Sequence, residues 1–78
     1  MRTQAAIGDR ARAIRAAYAS CGAPSRGQRY ATEQTWRRLG DEPQIRACVE
    51  VLVVDADTMR VTEWIGLLDL TTNTWHPN

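Results

Sequence analysis

The segments Asp55-Ala-Asp-Thr58-Met-Arg-Val61 and Asp69-Leu-Thr-Thr72-Asn-Thr-Trp75 carry an aspartate, a threonine and a large apolar residue at identical offsets, fourteen positions apart. An aspartate that opens a turn accepts a hydrogen bond from the backbone two residues on, and the threonine closes the turn. Two such turns flanked by apolar residues predict two consecutive hairpins. The segment between them must then be extended, although Val61, Trp64, Ile65 and Leu68 also fit helical spacing. The β-prone Val61, Thr62, Trp64 and Ile65, with Gly66 poor inside a helix, favour a strand.

The strand before the first turn is visible as a period of two. Ile45, Ala47, Val49, Val51 and Val53 alternate with Gln44, Arg46, Cys48 and Glu50, and Leu52 and Val54 make the second face apolar toward the end. Such alternation describes a half-buried strand. The expected meander has three strands, at Gln44–Val54, Met59–Leu68 and Thr74–His76.

Upstream the period is helical. Ile7, Ala11, Ile14, Tyr18 and Cys21 are spaced 4, 3, 4 and 3, and the residues between are mostly Ala and Arg. Both are strong helix formers, so an amphipathic helix is expected with this stripe facing the sheet. Gly22 and Pro24 stop it, and Thr3 is an N-cap candidate. Ala23 to Thr32 then reads as a loop. Thr32 to Leu39 suits a short second helix, since Glu33 and Arg37 stand at i, i+4 and Trp36 and Leu39 share a face, although Thr32, Thr35 and Trp36 would also suit a strand. Strands following helices point to an α+β fold, here an N-terminal helix plus a short second helix on a three-stranded antiparallel meander. Residues 1–78 are expected to form a single small domain.

Charge separates the two halves. Residues 1–40 hold eight arginines against Asp9 and Glu33, so 8 − 2 = +6, while residues 41–78 hold two arginines against seven acids, so 2 − 7 = −5. The net +1 hides this dipole. All ten basic residues are arginine, whose guanidinium binds carboxylates and phosphates bidentately and stacks on rings. Tyr30 beside Arg29, and Trp36 beside Arg37 and Arg38, interleave aromatics with cations as single-strand nucleic-acid binders do. Against direct binding stand a near-neutral pI of 7.8 and no motif of a nucleic-acid-binding fold.

No catalytic or cofactor set accompanies these features. Cys48 and His76 are the only nucleophile-and-base candidates, and catalysis needs them within hydrogen-bond reach of each other. Cys21, Cys48 and His76 are isolated, below the four close-paired ligands of a structural zinc site. The carboxylate pairs Asp41-Glu42 and Asp55/Asp57 sit in turns, where Asp is favoured for backbone reasons. Ser25-Arg26-Gly27 is too short for a phosphate loop. No enzyme activity, cofactor or metal is therefore expected. The N-terminal Ala–Arg stretch reads as a helix and not as a signal peptide, and the longest apolar run is Val51–Val54, so a cytoplasmic protein with reduced thiols and no membrane contact is expected.

The functional expectation is a small stand-alone interaction module, a regulator or inhibitor of the phage or mobile-element type. It would dock on a partner protein with an acidic or nucleic-acid-binding surface. Arg12, Arg26, Arg29, Arg37 and Arg38 would supply charge complementarity, with Tyr30 and Trp36 as aromatic anchors. Leu52, Val54, Trp64, Leu68 and Leu70 are candidates for a dimer or docking surface, because apolar excess on so small a domain marks an interface. Direct single-stranded nucleic-acid binding is the alternative reading. A homodimeric structural or antitoxin-like protein is the second.

Overall fold

The structure, a computed structural model, describes residues 7–78. The Thr3 cap lies outside them. Helix α1 (Ile7–Cys21) is followed by four strands: β1 (Gln28–Arg38), β2 (Ile45–Asp55), β3 (Val61–Asp69) and β4 (Thr74–Pro77). The strands form one antiparallel sheet in the order β1-β2-β3-β4, a meander in which every neighbour in sequence is a neighbour in space. The α+β class and the N-terminal helix are as expected. The sheet has four strands instead of three, and the expected second helix is instead most of β1.

The reason is a degeneracy of spacing. Residues i and i+4 share a face in a helix, and they also share a face in a strand, where the period is two. Glu33 and Arg37 therefore occupy one face of β1 without any helix. The β-prone Tyr30, Thr32, Thr35 and Trp36 pair along the whole of β2, eleven residues in unbroken register from Gln28↔Asp55 to Arg38↔Ile45. Ladder bonds along a strand this long outweigh one helical ion pair, worth about 0.2–0.5 kcal/mol.

Both repeated turns form with the same chemistry. The Asp55 carboxylate accepts the N–H groups of Asp57 and Thr58 at 2.9 and 3.0 Å. Asp69 accepts the Thr71 N–H at 2.9 Å and the Thr72 hydroxyl at 3.0 Å. Four residues after each aspartate the chain turns left-handed, at Met59 (φ 61°) and Asn73 (φ 57°). Asn tolerates that conformation well, Met much less.

The core lies between α1 and one sheet face. Val49, Val51, Val53, Ile65 and Leu68 meet Ala13 and Ala17, with Ile14, Tyr30, Leu70 and Trp75 packed at the margin. The helix stripe is thus rotated from the expected one: Ala13 and Ala17 are fully buried, whereas Ile7 is 88% exposed and Tyr18 48%. Alanine allows the helix axis to approach the sheet closely, and Tyr18 instead lies edge-on against Tyr30, with ring centroids 5.2 Å apart at 85°. Gly22 (φ 77°) ends the helix, its N–H bonded to the Tyr18 carbonyl at 2.8 Å.

β3 bends at Gly66. The register between β2 and β3 shifts between Val51 and Leu52, so Ile65 is an extra residue and a bulge forms. β4 runs close beside that point, with Pro77 opposite Gly66. A Cβ on Gly66 would lie 2.5 Å from the His76 carbonyl oxygen and 2.8 Å from the Trp75 ring.

Candidate functional site

Because directly opposed residues share a face, the register defines the side of the sheet that α1 leaves open. Four cross-strand rows lie on it: Arg37–Arg46; Thr35–Cys48–Asp69–Thr74; Glu33–Glu50–Leu67–His76; and Ala31–Leu52–Trp64. The loop between β1 and β2 folds against one end of these rows. Together they enclose a groove of ≈ 640 Å³, lined by Arg37, Arg38, Leu39, Gly40, Glu42 and Arg46 on one side and Trp64, Leu67, Asp69, Thr72, Thr74 and His76 on the other.

Asp69 is the hub of the groove wall. Fully buried, it accepts a 2.7 Å hydrogen bond from the Arg46 guanidinium as well as the two turn bonds. Burial pushes its carboxyl upward, but the Arg46 bond and the Thr71 and Thr72 donors outweigh that and hold it below the usual carboxylate range. Arg46 also pairs with Glu42, which ties the β1–β2 loop to the sheet. The Asp69 hydrogen bond and the neighbouring carboxylates raise the guanidinium further still, so this cation is permanent. Arg37 pairs with Glu50 across the β1–β2 ladder. Arg38 has no hydrogen-bond or ion-pair partner among the described residues. The Trp64 indole N–H is buried without an acceptor.

Several expected contact residues meet here, and several do not. Arg37 and Arg38 join Trp64 in the groove, uniting members of the two surfaces that the sequence suggested separately. Trp36 neighbours Arg37 along β1 but lies on the opposite face, 58% exposed. Arg29 is at the far end of β1, its guanidinium against the Met59 sulfur. Arg26 is exposed in the α1–β1 turn. Arg12 is bound to Asp9 and to Asn73, so it braces the helix against the β3–β4 turn. Tyr30 faces the helix and donates its hydroxyl to the Gly22 carbonyl at 2.6 Å; burial raises its pKa, followed by Cys21, Tyr18 and Glu63.

Of the apolar candidates, Leu52 and Trp64 lie on the open face and are partly accessible. Val54 is 3% exposed, and Leu68 (3%) with Leu70 belongs to the helix-covered core. Arg46, Leu67, Asp69 and Glu42 also line the groove, and none of them stands out in the sequence as a contact residue. Arg46 was recoverable, since its even position on β2 places it on the face of Cys48 and Glu50. Asp69 was visible only as a turn residue, because its pairing with Arg46 depends on the β2–β3 register.

Cys48 is buried beside Asp69, and its thiol donates to the Arg46 carbonyl at 3.5 Å. Burial raises its pKa, assisted by Asp69 and Glu50 against the opposing Arg37 and Arg46. His76 is opposite Leu67, in a different row from Cys48. Among the described residues no cluster of three or more His, Cys, Asp or Glu could hold a metal ion. No helix among them is long and apolar enough to cross a membrane.

The fold and groove define a helix-backed antiparallel meander with one open, arginine-rimmed face. Compared with known proteins, the chain is matched by no family model, no curated protein and no solved structure.

Proposed function

We propose that the protein is a non-catalytic interaction module whose open-face groove accepts an acidic segment of a partner protein. The observation that carries this reading is the groove rim, where Arg38, unpaired among the described residues, and the exposed Arg37 stand beside the apolar floor of Leu67 and Trp64. Carboxylate side chains match the planar guanidinium fork, and an apolar side chain of the same segment fits the floor. The orphaned Trp64 N–H suits an acceptor on that segment. By covering an acidic surface of its partner, such a module acts as a regulator or inhibitor.

The test is a tryptophan-fluorescence titration with a peptide rich in Glu and Leu, run beside a single-stranded oligonucleotide. Saturable peptide binding is expected, weakened about tenfold or more by the double reversal Arg37→Glu/Arg38→Glu while circular dichroism is unchanged. Tighter binding of the oligonucleotide, with a steep salt dependence, would replace this reading by nucleic-acid binding.

A further inference from the structure

The outer edge of β1 runs for eleven residues, and no strand pairs with it among the described residues. The direction of its backbone groups follows from one bond. The Ala56 N–H donates to the Gly27 carbonyl, which makes Gln28↔Asp55 a non-hydrogen-bonded pair. Alternation then turns Arg29, Ala31, Glu33, Thr35 and Arg37 toward β2. The N–H and C=O groups of Gln28, Tyr30, Thr32, Gln34, Trp36 and Arg38 point outward. Two further bonds agree: the Gln28 N–H goes to the Ser25 carbonyl, and the Thr32 carbonyl accepts from the Arg10 guanidinium at 3.2 Å. The edge carries no proline and its register has no bulge, two of the usual devices that block strand addition.

We propose that β1 pairs antiparallel with β1 of a second copy, the two-fold axis passing between the two Thr35 residues. Charge selects this register. Full overlap would centre the pair on Glu33, setting Glu33 against Glu33 and Arg29 against Arg37, like charges throughout. Centring on Thr35 sets Glu33 of each copy opposite the partner's Arg37. These positions are non-hydrogen-bonded, where opposed side chains are closest. Glu33 needs a cation there. It has no partner among the described residues and stands directly across the ladder from Glu50.

A register centred on Ala31 would also pair Glu33, with Arg29, but it leaves Trp36 outside the paired segment. In the Thr35 register Trp36 faces the partner's Gln34 and lies diagonal to the partner's Trp36, which covers a ring that is 58% exposed. The Thr32 carbonyl keeps a second lone pair for the incoming strand beside Arg10. The product is an eight-stranded sheet with both grooves on one face. The pairing shares Arg37 with the groove rim but not Arg38, Leu67 or Trp64, so its tests are run without any groove ligand.

Sedimentation velocity across a concentration series tests it. The full chain is expected to pass from monomer to dimer. Gln34→Pro removes an outward N–H while leaving the β1–β2 ladder intact, so it should remain monomeric with an unchanged circular dichroism spectrum. Glu33→Arg should weaken association about tenfold, since two attractive pairs become repulsive. Glu33→Arg/Arg37→Glu should restore it, because the swapped charges again oppose each other and Arg at 33 also faces Glu50. A wild-type chain that is monomeric at every concentration overturns the proposal. So does a dimer that the double swap fails to rescue, or one indifferent to Gln34→Pro.

Discussion

Asp69 is fully buried yet ionised, because Arg46, Thr71 and Thr72 give its two oxygens charged and neutral donors. Its carboxyl is held below the ordinary range, as is that of Asp55 through the Thr58 and Asp57 N–H groups. In the acid range the unfolded chain therefore binds more protons than the native one, and stability rises with pH. This contribution is complete above the ordinary aspartate pKa, about 4, and is lost as pH falls through the depressed native values. A urea-melt series should show stability flat near neutrality and falling below about pH 4. Asp69→Ala should cost about 2–3 kcal/mol at pH 7, since it leaves Arg46 and the turn donors short of an acceptor, and should flatten the acid limb. A variant as stable as wild type would refute the hub role. The two thiols offer a second check. Cys48 is buried with its pKa raised, whereas Cys21 is exposed. Under native conditions iodoacetamide should therefore modify Cys21 well before Cys48, with mass spectrometry of the digest as the readout.

Gly66 shows what an element needs beyond its propensity. β4 pairs beside it so closely that a methyl group would meet the His76 carbonyl, the Trp75 ring and the Pro77 Cα at 3.0 Å or less. Two of these three are backbone atoms and cannot rotate away. Gly66→Ala should cost about 2–3 kcal/mol and selectively release β4, seen as lost hydrogen-exchange protection at the Asn78 N–H, which bonds to the Ile65 carbonyl. Protection lost evenly over all strands would contradict a local clash. The same elements show how much the sequence disclosed. The repeated Asp–Thr turns were legible because their bonds span only two or three residues. The helix was legible in period but not in phase: apolar strength pointed to Ile7 and Tyr18, while close packing selected Ala13 and Ala17. β1 was half legible: Thr32, Thr35 and Trp36 suit a strand, but a spacing of four serves helix and strand alike. The groove was hidden, since its walls depend on a β2–β3 register that shifts at a bulge.

Among the described residues one helix covers one face of a four-stranded sheet, and the fully apolar interior is small. Among the described residues Ala13, Ala17, Cys48, Val49, Val51, Val53, Val54, Ile65, Leu67 and Leu68 are the buried apolar ones, with no aromatic ring in the set. A single core in a chain this short supplies roughly 3–5 kcal/mol without further support. Pairing through β1 would add support without a larger core, by satisfying outward backbone groups and covering Trp36. Linkage then makes stability depend on protein concentration. Above the dissociation constant, each tenfold rise in concentration contributes about 1.4 kcal/mol per dimer, or about 0.7 per chain. For a domain of this size that corresponds to a rise of about 3–6 °C in Tm. Calorimetry of the full chain over two decades of concentration should show that slope, and Gln34→Pro should melt at one temperature throughout. A wild-type Tm equally independent of concentration would mean that the core and its single helix suffice, with the edge of β1 facing water.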